Sequence, residues 1–208
     1  MNQIFNYENP VMQGICKLAY CIFLSVLWLV CCIPVVTIVP ATCALYYAAE
    51  KSLKNGWGYE VQSFFHAFRK NLKQIFPFGL LMLAVEAVFW SDRWILKTFL
   101  EGGHQIGNGY VLFTVLMAAG VVYMVWTVAG IARFNNTVRA IMKNSLILMI
   151  RHLGTSILIL LILAFACFIV WLIPVSVCLM PAVAMWLISA GIEKIFVFYQ
   201  PEEAETER

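Results

Sequence analysis

Three stretches, Leu18 to Ala49, Val111 to Ala132 and Leu153 to Gly191, hold no Asp, Glu, Lys or Arg, and two polar intervals, residues 50–74 and 133–152, separate the apolar parts of the chain. A helix crosses a bilayer with about 20 apolar residues, so the pattern predicts spans at 12–33, 75–100, 110–132, 153–173 and 177–199. Pro34 supplies no backbone donor and disfavours helix in the residue before it. The first apolar run is therefore expected to break there and to resume as a short limb over 35–53. The apolar part of that limb, roughly 15 residues or about 22 Å, is short for a full crossing. Thr37 stands as the expected N-cap of the limb, with Pro40 in its first turn. The predicted fold is all-α, a polytopic transmembrane helix bundle of five clear spans and a short sixth, forming one domain over 1–199. If the 35–53 limb crosses, which is the preferred reading, the N-terminus lies in the cytoplasm; if it does not, the N-terminus lies outside.

Inside the polar intervals the periodicity changes. Val61, Phe64, Phe65, Phe68 and Leu72 recur at i, i+3, i+4, i+7 and i+11, a stripe of period 3.6. Glu60, Gln62, Ser63, His66, Arg69, Lys70 and Lys73 occupy the other side. A helix of about 14 residues is roughly 21 Å long, too short and too polar to span and too apolar to lie free in water. Residues 60–73 are thus expected to lie flat at the membrane surface or against a partner, with Phe64, Phe65, Phe68, Arg69, Lys70 and Lys73 as contact residues. Over 136–150, Val138, Ile141, Met142, Ser145 and Met149 give a weaker stripe opposite Arg139, Lys143 and Asn144, a second interfacial helix. Asn55, Gly56 and Gly58 predict a turn that sets Trp57 at the headgroup level. A Gly-rich loop, Glu101 to Gly109, joins two spans, and residues 200–208 form a short acidic tail expected to be disordered.

Composition confirms the class: 62% of residues are apolar and 12% charged, against about 25% charged in soluble domains, and mean hydropathy is +0.85. Of the 14 Lys and Arg residues, nine fall in the two polar intervals. The positive-inside rule then places both intervals, and the C-terminus, in the cytoplasm. The first apolar run lacks a small-residue cleavage site after a short apolar region and is read as retained, not as a signal peptide. The seven cysteines show no C-x-x-C spacing and read as small, reduced hydrophobes. His66 and His152 fall on the opposite side of the membrane from His104, so the three histidines form no common metal site. No Ser-His-Asp order, phosphate-binding loop or paired acidic motif stands in the chain. An enzyme, a cofactor and a nucleic-acid partner are therefore not expected.

Glu86 is the sharpest single residue. A carboxyl near the centre of a span costs about 2.5 to 3.5 kcal/mol on insertion scales. It needs a partner, such as a backbone carbonyl, Thr114, Thr127 or Ser189, or it titrates as the intramembrane site of a small transporter whose proline-broken helices line a path.

The run from Leu27 to Gln74 carries Pro34, Thr37, Pro40, Ala41, Ala44, Leu45 and Tyr46, then Phe64, Phe65, Phe68, Arg69 and Asn71. These residues resemble the motif of the YesL-like family, small bacterial membrane proteins of unknown function: P-x-x-T-x-G-P-A-x-x-A-L-Y followed by F-F-x-x-F-K/R-x-N. Val39 stands where that motif has Gly, which bears on the turn before Pro40. The later KNSLILMIRHL segment resembles the family's second polar interval. The resemblance implies a multi-pass protein of the bacterial plasma membrane. Its partners would be the lipid bilayer and a membrane transporter subunit, with a homo-oligomer also compatible. Because such proteins are often encoded beside carbohydrate-uptake transporters, it also implies a non-enzymatic accessory or regulatory component of carbohydrate uptake. It carries over no catalytic residue.

Overall fold

Proline and glycine mark where the apolar runs turn. In the computed structural model, which describes residues 10–55, 60–101, 109–134 and 136–199, they separate helices with no strand among the described residues. The helices are α1 (Pro10–Cys31), α2 (Ile38–Asn55), α3 (Glu60–Glu101), α4 (Gly109–Arg133), α5 (Val138–Arg151), α6 (Leu153–Leu172) and α7 (Met180–Phe198). Short 3-10 turns, Val35–Thr37 and Pro174–Cys178, carry the two proline breaks. The turn expected around Gly56 to Gly58 with Trp57, most of the Gly-rich loop with His104, and the 200–208 tail lie outside the described residues.

Among the described residues, four helices are long and apolar enough to cross a membrane: Val61–Glu101, Gly109–Arg133, Leu153–Leu172 and Met180–Phe198. Lys17–Cys31 forms a shorter apolar helix, and α2 is not among the four. The expected separation of a 60–73 helix from a 75–100 span is corrected. The two are one helix of 42 residues with Pro77 inside it. Proline costs that helix one backbone hydrogen bond, and packing of the flanking turns against α2 and α4 holds it helical across the gap.

The core is built around α2. Val39, Ala41, Cys43, Ala44, Leu45, Tyr46 and Ala48 are all at most 1% exposed. Small residues on several sides of the helix let α3, α4 and α7 approach its backbone closely, the usual way apolar helices pack where lipid supplies no hydrophobic driving force. Val39 presses on Gly79 of α3, where an added Cβ would come within 2.9 Å of the valine Cβ. The bulk that Val39 brings to the turn is thus absorbed by a glycine on the neighbouring helix. Since α2 begins beside Gly79, α3 continues to Glu101 for roughly 33 Å past the start of α2. Over that length α3 and α4 run as a hairpin. Phe89 meets Phe113 at 6.2 Å between ring centroids, and Arg93 Nε donates to Thr114 Oγ1 at 2.9 Å. Trp90, Trp94, Leu112 and Val115 on this hairpin are exposed, as lipid-facing side chains are.

Polar side chains tie the remaining helices at single points. Ser25 Oγ donates to Leu179 O at 3.2 Å and accepts from Ala182 N at 3.1 Å, so α1 caps the start of α7. Trp126 Nε1 donates to Ser156 Oγ at 3.1 Å, joining α4 to α6. Thr37 precedes α2, but its hydroxyl makes no cap bond to that helix. It turns back within hydrogen-bonding distance of the Cys31 and Pro34 carbonyls. Thr37 therefore closes the end of α1, whose last carbonyls lack helical partners, and the N-cap expectation is corrected accordingly.

Candidate functional site

The first third of α3 shows how the contact residues expected from sequence divide. Phe64 is fully buried and Phe68 half-buried, their rings stacked 6.2 Å apart. Phe65 is 43% exposed and meets Phe64 edge-on. The buried stripe is Ser63, Phe64, Ala67, Asn71, Ile75, Phe78 and Met82, rotated from the predicted Val61–Phe64–Phe65–Phe68–Leu72 stripe. Asn71 Nδ2 approaches Cys43 Sγ at 3.9 Å, and that thiol approaches Val128 O at 3.8 Å. Phe64 is therefore a core residue and not a partner or lipid contact. The outward face reads Gln62, Phe65, His66, Arg69 and Lys73, with Lys70 at its edge, all exposed. Phe65, His66, Arg69 and Lys70 line a shallow surface depression. The motif residues Pro34, Thr37 and Pro40 build the α1–α2 turn and stand apart from this face.

Glu86 lies in the α3–α4 hairpin, against Gly120. A Cβ at Gly120 would overlap Glu86 Oε1, so a larger residue there would make the end of the Glu86 side chain swing aside. None of the expected partners reaches it: Thr114 donates to Tyr110 O, Thr127 to Tyr123 O and Ser189 to Trp186 O. Glu86 Oε1 is buried without a hydrogen-bond partner. Gly120→Ala is expected to shift stability by no more than about 1 kcal/mol, because the end of the Glu86 side chain can swing off Gly120 and Ala is the better helix former, and its effect combined with Glu86→Ala is expected to differ from the sum of the two single effects. A thermal-unfolding double-mutant cycle in detergent measures this; additive effects would show that the two residues do not meet.

A second polar site joins three helices that the sequence keeps far apart. Arg133, the last residue of α4, pairs through Nη1 with Glu50 Oε1 of α2 at 3.1 Å and through Nε with Glu193 Oε2 of α7 at 3.8 Å. The side chains are only 20%, 8% and 13% exposed in that order. The buried Tyr46 hydroxyl faces Glu193, within electrostatic reach of Glu50 and Arg133. Sequence reading missed these residues. The rule that singled out Glu86, an acid within an apolar span needs a partner, applies equally to Glu193 and would have found it. Among the described residues no three His, Cys, Asp or Glu side chains come together as metal ligands, and the described cysteines are free.

An all-helical chain with, among its described residues, four helices of spanning length and apolar outer faces is a helical membrane protein. Residues 21–93 match the family model described as Protein of unknown function, DUF624, the family that includes YesL-like proteins. The match covers the α1–α2 turn, all of α2 and most of α3, and it contains every residue of the YesL-like motif. No curated protein and no solved structure matches the chain.

Proposed function

We propose that this chain is a non-enzymatic accessory or regulatory protein of the bacterial plasma membrane, and that it engages a membrane transporter subunit through the first third of α3. The observation that carries the reading is the outward face Phe65, His66, Arg69 and Lys73. An apolar ring and two or more cations sit on a helix whose opposite face is locked into the core. A rigid helix presenting such a face suits docking into a partner groove. The link to carbohydrate uptake rests on the resemblance alone. Reversing charge at Arg69, Lys70 and Lys73 is expected to abolish retention of the transporter subunit at low salt while leaving thermal stability nearly unchanged, since exposed charges contribute little to folding. A charge-reversed protein that folds and still holds the subunit removes the proposed contact surface.

The basic intervals support an orientation with α3's first third, α5 and the C-terminus in the cytoplasm. The short connection between α1 and α2, with Trp28 Nε1 donating to Thr42 Oγ1 at 3.3 Å, supports an antiparallel pair that returns the N-terminus to that same side. On this reading α5, separate and only 14 residues long, is the interfacial helix. A cysteine introduced at Lys143 is expected to react with a membrane-impermeant reagent from the cytoplasmic side only; labelling from outside would reverse the topology.

One observation favours a second reading. The unpartnered Oε1 of Glu86 beside Gly120 supports a small transporter with a titrating carboxyl in its spans. Proton-coupled flux by the pure protein in liposomes, lost in Glu86→Gln with folding intact, would establish it in place of the accessory role.

A further inference from the structure

A cavity of about 430 Å³ lies where α4, α5 and the end of α7 meet. Such a volume is typical of sites for small ligands, ~300 to 1,000 Å³. Its floor is apolar, formed by Phe134, Ile141, Leu148 and Phe196, and Asn136 and Asn144 supply polar groups along the rim. Phe134 and Phe196 brace each other at 5.2 Å between centroids. Gly130 forms the base, and a Cβ there would come within 2.8 Å of Ile141 Cγ2.

One end of the groove is cationic. Tyr199 lines it, the Arg151 guanidinium sits 5.7 Å from the centroid of the Tyr199 ring, and His152 Nε2 shares a hydrogen bond of 3.1 Å with the Tyr199 hydroxyl. Arg151 is exposed and, among the described residues, pairs with no carboxylate. The groove also sits at a defined level, because two helices of spanning length, α4 and α7, end beside it at Arg133 and Phe198. Ile147, Ile150 and Leu153 add exposed apolar side chains on α5 and at the start of α6.

We infer that this groove is a binding site for an anionic phospholipid, with one acyl chain on the Phe134–Ile141–Leu148–Phe196 floor and the phosphate held by Arg151, Tyr199 and His152. An apolar trough closed at one end by a guanidinium and two hydrogen-bonding rings matches an amphiphile with a negative head. The location at the ends of two spans puts such a head where lipid phosphates lie. The site lies between α4, α5 and the end of α7 and is lined by none of the outward-face residues of α3, so it does not depend on the accessory-protein reading.

The test uses the purified full-length protein, titrated with phosphatidylglycerol or with phosphatidylcholine of the same acyl chains, and followed by native mass spectrometry and thermal shift. The expected result is retention of phosphatidylglycerol over phosphatidylcholine with a raised melting temperature. Arg151→Glu is expected to weaken phosphatidylglycerol retention about fivefold or more, in line with one basic side chain at an anionic surface, while Arg151→Lys keeps most of it. Asn144→Trp, which places a ring in the groove from an exposed position, is expected to reduce retention of both lipids. Equal retention of the two lipids by the native protein would overturn the site, leaving only an unspecific lipid annulus. So would undiminished phosphatidylglycerol preference in a folded Arg151→Glu protein, or full retention by Asn144→Trp.

Discussion

Arg133→Met is expected to cost about 3 to 5 kcal/mol of stability, the loss typical of breaking a buried ion pair from one side. Glu50 and Glu193 are both mostly buried and both face Arg133. Without the guanidinium, two carboxylates from different helices lose the cation they share in a site of low dielectric, and Coulomb repulsion pushes α2 and α7 apart. The guanidinium also sits at the last turn of α4, where a cation complements the helix dipole. Replacing all three, Arg133→Met with Glu50→Leu and Glu193→Leu, is expected to restore much of the loss, because well-packed apolar side chains can match a buried ion cluster in stability. Thermal unfolding in a single detergent decides between this account and an incidental surface pair, for which the single variant would lose no more than about 1 kcal/mol.

Phe64→Ala is expected to cost about 3 to 5 kcal/mol, whereas its neighbour Phe65→Ala stays within about 0.5 kcal/mol. Phe64 is fully buried against the α2 core, and the cavity left by its ring would be lined by a tightly packed helix that cannot collapse into it. Phe65 contributes an exposed ring that the proposed partner would cover. Co-purification should show the reverse order, Phe65→Ala weakening retention of the transporter subunit more than Phe64→Ala does in whatever fraction folds. Equal stability losses for the two would mean that α3 is rotated from its position here.

Hydropathy and the prolines located the ends of most helices to within a few residues, but split the 42-residue α3 into a 60–73 helix and a 75–100 span. Runs without charge can only be long helices in a medium that leaves backbone groups no other partner, and Pro34 and Pro174 mark both short turns. The inner face of α5 was legible too: Val138, Ile141, Met142, Ser145 and Met149 are all buried or half-buried, joined by Ala140 and Leu148. The face of α3 was not, although its Phe-rich stripe was the stronger pattern. Periodicity ranks side chains by apolarity, and α2 chose its neighbours by size and fit, taking Ala67, Asn71 and Gly79 inward and leaving Phe65 out. Likewise an isolated acid in a span, Glu86, announces itself in sequence, but its seat on Gly120 depends on how two helices come to register.

What the sequence determined by itself was a membrane-spanning, all-helical chain with its basic residues concentrated in two intervals, because apolar length and clustered charge are properties of segments. Only the tertiary structure decided that Glu50, Arg133 and Glu193 form one ion cluster, and that Arg151 and Tyr199 close the end of an apolar groove. These groups lie far apart in the chain, and an ion pair or a cavity is a property of distances between helices, which no single segment encodes.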